Sequence, residues 1–181
     1  MALIGTVPPE KAEGTIKEAY DMFMKNIGVI PKPMEMMSAS PALFELQFRR
    51  ILYLSQHPTL SFSLLAHIRY LSAYSLDYPF CMDFNKILLQ KQGLTDDDLR
   101  QIEADPSKSL LEEDENAMLA FVIKAVKSPK SITSQDIQAL RGLGWEDRDM
   151  VDALSQGVSM IDHSIMMEVF QMDQDCGLPS A

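Results

Sequence analysis

Cysteine is scarce in this chain: two residues among 181, Cys81 and Cys176, far apart in sequence. That scarcity excludes a disulfide-stapled scaffold and points to a reducing compartment, so a cytoplasmic protein is expected. Positive charge is also short, with 16 Lys and Arg against 26 Asp and Glu and a formal net charge of -10. Such a surplus repels nucleic acid and anionic lipid, and no Lys/Arg cluster interleaved with aromatics offsets it; neither is an expected partner. No apolar run approaches the roughly 20 residues that cross a bilayer. The opening Met1-Ala2-Leu3-Ile4-Gly5-Thr6 carries neither a basic region nor a signal-length apolar stretch, and no membrane association is expected. The three histidines fall in no His-x-x-x-His or Glu-x-x-His spacing, so no metal and no cofactor are expected.

What is present is hydrophobic content of 46%, enough for a core in a chain of this length. The reading is a single all-α domain over 1–181, or two small helical halves sharing a core, ordered over about 8–172 and ending in a short polar tail. Pro8 and Pro9 introduce an amphipathic segment in which Ala12, Ile16, Ala19, Tyr20, Phe23 and Ile27 recur at helical spacing until Gly28. A connector holding Pro31 and Pro33 follows. Ser40-Pro41 opens the next helix, on which Phe44, Phe48, Ile51 and Leu52 recur, and His57-Pro58 closes it. Ser61 then leads a helix bearing Leu64, Leu65, Ile68 and Leu71. Thr95 before Asp96, Asp97 and Asp98 is a helix cap with an acidic first turn, and Glu112 to Glu115 have the same explanation. Neither run alternates oxygen ligands around a turn glycine, so neither is a Ca²⁺ loop. Thr133 and Asp136 form another capping pair, and a long helix runs from near Glu146 to Met172. No stretch alternates as a strand does.

The segment Asp77-Tyr78-Pro79-Phe80-Cys81-Met82-Asp83-Phe84-Asn85 concentrates the chemistry. With a helix from about Pro79 to Gly93, positions 78, 81 and 85 share one face. Asp77 is the expected N-cap and Pro79 sits in the first turn, where its missing donor costs nothing. Cys81 then stands at the positive end of the helix dipole, which favours thiolate, while Asp77 and Asp83 oppose it.

Written as Tyr-x-x-Cys-x-x-x-Asn, the segment resembles the Cys-x-x-Cys-x-x-x-His motif of the alkylhydroperoxidase D and carboxymuconolactone decarboxylase superfamily. On that alignment Tyr78 replaces the first cysteine, Cys81 keeps the second, Asn85 replaces the histidine, and Ala66 stands where the family carries a proton-relay glutamate. The resemblance extends to the proline-led first helix, the connector Gly28-Val29-Ile30-Pro31, the turn Gly93-Leu94-Thr95 and the peroxidase-related pattern Thr133-x-x-Asp136-x-x-x-Leu140-x-x-x-Gly144. It implies an AhpD-like helical domain assembled as a dimer, trimer or hexamer. It also implies an antioxidant, thiol-dependent hydroperoxide reductase at Cys81, with Tyr78 and Asn85 orienting a small hydroperoxide. One cysteine cannot close a local disulfide, so Cys81 needs an external thiol or Cys176 to complete a cycle, and a Cys81–Cys176 bond needs Cα atoms within about 7 Å.

His67 follows Ala66 by one residue and points about 100° away from it, toward Leu64, Leu71 and Tyr74. It reads as a core or interface histidine and, with Ala66 and with His163 beside Asp162, as a candidate pocket residue. His57 reads as a capping or surface residue. Met34, Met36, Met37, Met160, Met166, Met167 and Met172 read as fillers of irregular cores or subunit interfaces. Loss of three of the four relay positions leaves a second reading open: a non-redox protein or pseudoenzyme that binds an apolar small molecule on the same fold.

Overall fold

The computed structural model describes residues 2–172. Cys176 and the rest of the polar tail lie outside the described residues. Among these the regular structure is helical and no strand occurs. The helices are α1 (Gly14–Asn26), α2 (Lys32–Met37), α3 (Pro41–Ser55), α4 (Phe62–Ser75), α5 (Pro79–Lys91), α6 (Asp96–Ala104), α7 (Glu113–Lys127), α8 (Ser134–Gly142) and α9 (Asp147–Val169). None is long and apolar enough to cross a membrane.

The chain divides into two compact units. One holds the residues up to Gln56 together with those from His163 onward. Its core is aromatic and thioether: Tyr20 meets Phe44 edge-on at 6.0 Å between ring centroids, Phe23 meets Phe48 at 6.4 Å, and Met34, Met36 and Met37 are buried. Edge-to-face pairs add to the area term because each ring's positive edge meets the negative face of the other. The proline-led opening differs from the expected helix. Pro9–Lys11 form a single 3-10 turn, and α1 begins only at Gly14, which takes φ +54°. The expected connector, in turn, winds into α2, whose first turn accommodates Pro33 because helix-start donors have no partner within the helix.

The other unit holds residues 57–162 and therefore α4 to α8 with the first two-thirds of α9. Here α4 packs against α5, α6 and α7. Leu64, Ile68, Leu71, Leu89, Leu99, Met118, Leu119 and Val122 are almost fully shielded. Helix starts follow the expected capping chemistry: the Leu64 amide donates to Ser61 Oγ at 3.0 Å, and Thr95 and Asp98 cap each other. Asp77 corrects one expectation. It is not the cap of α5 but the left-handed residue, at φ 56°, that closes α4. The Asp77 amide donates to Tyr74 O and the Tyr78 amide to Ala73 O, the paired bonds of a Schellman ending. Tyr78 is then the N-cap of α5, with no side-chain cap bond.

Gly157 on α9 marks the tightest approach in this unit. A Cβ there would stand 2.7 Å from Val122 Cγ1 and 3.0 Å from Ser72 Oγ. Both neighbours sit on buried helix faces and have little room to yield. Gly157→Ala is therefore expected to cost about 1–3 kcal/mol, the usual penalty of overpacking, despite alanine's better helix propensity. Urea unfolding checks this; an unchanged or raised midpoint contradicts the close approach.

Candidate functional site

The three expected site residues of the motif segment stand at the cap and in the first two turns of α5. Cys81 is the third residue of the helix and only 3% exposed, Tyr78 is half-buried at the cap, and Asn85 is buried one turn beyond Cys81. Asn85 is the centre of the local bonding. Its Nδ2 donates to Cys81 O at 2.8 Å and lies 3.9 Å from Met160 Sδ on α9, while its Oδ1 accepts from Arg69 Nε of α4 at 2.8 Å. One amide thus joins three helices of the unit. Both its Nδ2 and its Oδ1 are engaged by protein groups, so Asn85 holds the site rather than presenting an open donor to a substrate.

Arg69 was not legible as a site residue, although one signal was available: it is the only Lys, Arg, Asp or Glu in α4. Its guanidinium carbon lies 5.8 Å from the centroid of the Phe62 ring, within cation–π range. Burial pulls its pKa from the usual arginine value down to about 10. Tyr70, next on α4, donates its hydroxyl to Glu103 of α6, and burial first and that carboxylate second push its pKa upward.

The expected pocket residues separate. Ala66 is fully buried on α4, three residues before Arg69. His67 is also fully buried, and its Nδ1 lies 2.8 Å from the Ser63 carbonyl. Because a carbonyl can only accept, Nδ1 carries the proton and Nε2 is left as an acceptor with no protein donor. His163 belongs to the other unit, where its Nε2 lies 3.3 Å from Gln47 Nε2. His57 is not a surface residue. Its Nδ1 accepts from the Leu60 amide at 3.0 Å and its Nε2 meets Asp152 Oδ2 at 3.1 Å. Nearby Asp149 is 2% exposed; burial opposes its charge, but bonds from Thr59 Oγ1, the Glu146 amide and Arg148 hold its pKa below the usual carboxylate range. That group caps α9. Among the described residues no three His, Cys, Asp or Glu side chains are grouped to hold a metal.

Three solved structures share this arrangement of helices. A peroxidase-related protein with an alkylhydroperoxidase AhpD core from Ralstonia eutropha aligns with TM-score 0.78 at 16% identity, over 96% of this chain and 92% of that one. The chain has the AhpD fold. A peroxidase-related protein from a Silicibacter species aligns with TM-score 0.72 at 14% identity, over 94% of this chain and 87% of that one. A debrominase, Bmp8, solved as a cysteine-to-alanine variant with 2,3,4-tribromopyrrole, aligns with TM-score 0.74 at 12% identity, over 97% and 94%. No family model and no curated protein sequence matches the chain. Within this fold Asn85 of α5 joins the Cys81 backbone to the Arg69 guanidinium of α4.

Burial lowers the His67 pKa below its ordinary value of 6.5, with the Ser63 carbonyl and Glu115 opposing more weakly. A histidine that stays neutral in the folded state but protonates when unfolded stabilises the fold above pH 6.5. That contribution is lost as pH falls below 6.5 toward the depressed folded value. In denaturant midpoints measured at pH 7.5 and 5.5, His67→Leu should therefore lose less stability on acidification than the parent. Equal losses would show that His67 does not titrate as a buried group.

Proposed function

We propose that this protein is an oxidoreductase on the AhpD fold that reduces a small hydroperoxide with the single thiol of Cys81, slowly. The observation that carries the reading is the position of Cys81. It sits in the first turn of α5, and Asn85 one turn on links its backbone carbonyl to the Arg69 guanidinium. A helix N-terminus and a nearby cation are the electrostatic setting in which cysteine acts as a nucleophile. The thiolate attacks one peroxide oxygen, the O–O bond breaks, and the departing alkoxide takes up a proton and leaves as the alcohol. Sulfur becomes a sulfenic acid, a two-electron oxidation matched by the two-electron reduction of the peroxide. An external thiol then attacks the sulfenic sulfur, releasing water, and a second thiol frees Cys81 as the disulfide of the reductant. The half-buried Tyr78 hydroxyl is the group available to orient the peroxide. With alanine at 66 and asparagine at 85, neither relay position supplies a base, which is the physical reason for slow turnover.

A second reading has its own support. Cys81 is only 3% exposed, and the relay carboxylate position is alanine, features that suit a protein that binds an apolar small molecule without redox chemistry. In either case a homo-oligomer is proposed, since Val151, Val158 and Ile165 recur every seven residues on α9 with their side chains open. Of the methionines, Met34, Met36, Met37, Met160, Met167 and Met172 are buried and do not supply that surface, whereas Met166 is half-buried. Sedimentation at micromolar concentration should show a species above 20.4 kDa; a strictly monomeric profile counts against the assembly.

With cumene hydroperoxide and a dithiol reductant, turnover should be measurable and Cys81→Ser should abolish it. Full activity in that variant removes the thiol from the mechanism, and absence of activity in the parent favours the binding protein.

A further inference from the structure

Helix α9 carries two apolar faces. The inner one, with Met150, Ala153, Met160 and the close approach at Gly157, is buried by the chain's own helices. The outer one, Val151, Leu154, Val158 and Ile161, repeats at alternating spacings of three and four residues, the pattern of a helix seam that packs against another helix. Val151 is 65% and Val158 46% exposed, and Leu154 and Ile161 are half-buried, so the seam stands open. All four residues lie within the 57–162 unit. Between Arg148 and Asp162 the helix holds only two charges, Asp149 and Asp152, and both are bonded to the 57–60 loop. On a chain of net charge -10, an outer face without charge is where two copies approach with least repulsion.

The charges at the two ends of the seam decide what covers it. Arg148, its side chain 49% exposed while it contacts Glu146 and Asp149, flanks the start. Exposed Asp162 flanks the end on the same side, about 40° away round the helix axis. Turned end for end, the helix presents the same pattern to itself. In an antiparallel pair Val151 layers on Ile161 of the second copy and Leu154 on its Val158, Arg148 stands beside its Asp162, and the small Ser155 meets its own copy near the axis. A parallel pair in register instead sets Arg148 level with Arg148 and Asp162 level with Asp162, a juxtaposition of like charges that opposes association. A self-matching surface makes an isologous two-fold contact. We propose that two copies of this chain pair antiparallel along α9 through Val151, Leu154, Val158 and Ile161, closed at each end by Arg148 of one copy and Asp162 of the other. This deepens the homo-oligomer reading by giving its contact; it rests on that reading and is independent of the thiol chemistry. It requires an even number of subunits.

Val158→Lys, a change at an exposed position, should weaken self-association at least tenfold in sedimentation equilibrium with helical content unchanged. In a full-length Cys81→Ser, Cys176→Ser background, a short bismaleimide should link Ser155→Cys chains to each other. It should leave Asp162→Cys chains unlinked, because those side chains stand roughly 20 Å apart along the pair. It should join Asp162→Cys to Arg148→Cys when the two are mixed. Efficient linking of Asp162→Cys to itself, no linking in either the Ser155→Cys chains or the mixture, a trimer, or full association of Val158→Lys each overturns the proposal and leaves the homo-oligomer standing. A monomeric parent overturns both. If Val158→Lys does not fold, the contrast in linking between positions 155 and 162 decides.

Discussion

The side-chain amide of Asn85 is the interaction on which the site depends. It lies within hydrogen-bonding distance of the α5 backbone at Cys81, of Arg69 on α4 and of Met160 on α9. A buried amide bonded at both ends is worth more than its separate bonds, because removing it takes a partner from the Arg69 guanidinium and from the α5 backbone together. The start of α5, the cation and the packing of three helices are therefore coupled through one side chain. In the motif that the segment resembles, this position carries a histidine that moves protons. Here the amide cannot move a proton, and it holds a positive charge in place instead.

That exchange accounts for the balance between the two functional readings. The place of Cys81 at a helix start favours the proposed thiol chemistry; the burial of the residue and the alanine and asparagine at the two relay positions restrain it. Binding needs neither a base nor an exposed sulfur.

Most of the fold was legible because its signals are local. Ser61 and Thr95 cap their helices through their own side chains, Gly93 takes φ +102° at the end of α5, and the acidic runs stand in the first turns of α6 and α7, where the dipole favours them. Asp77 was misread because aspartate suits both an N-cap and a left-handed helix ending. Only the pair of bonds closing α4 decides between them. The α5 residues were legible from spacing alone. Their partner Arg69 was not, since it stands 16 residues before Asn85 and meets it only through the packing of α4 on α5. The orphaned Nε2 of His67 was likewise hidden, although the rotation of His67 away from Ala66 followed from helix geometry.

The central claim is a shielded thiol in the first turn of α5. Its most direct measurement is the rate of Cys81 alkylation by iodoacetamide, in a Cys176→Ser background, for the folded and the urea-unfolded chain. The account predicts complete alkylation in both, with the folded rate at least tenfold lower across neutral pH. A folded rate equal to the unfolded one would contradict it.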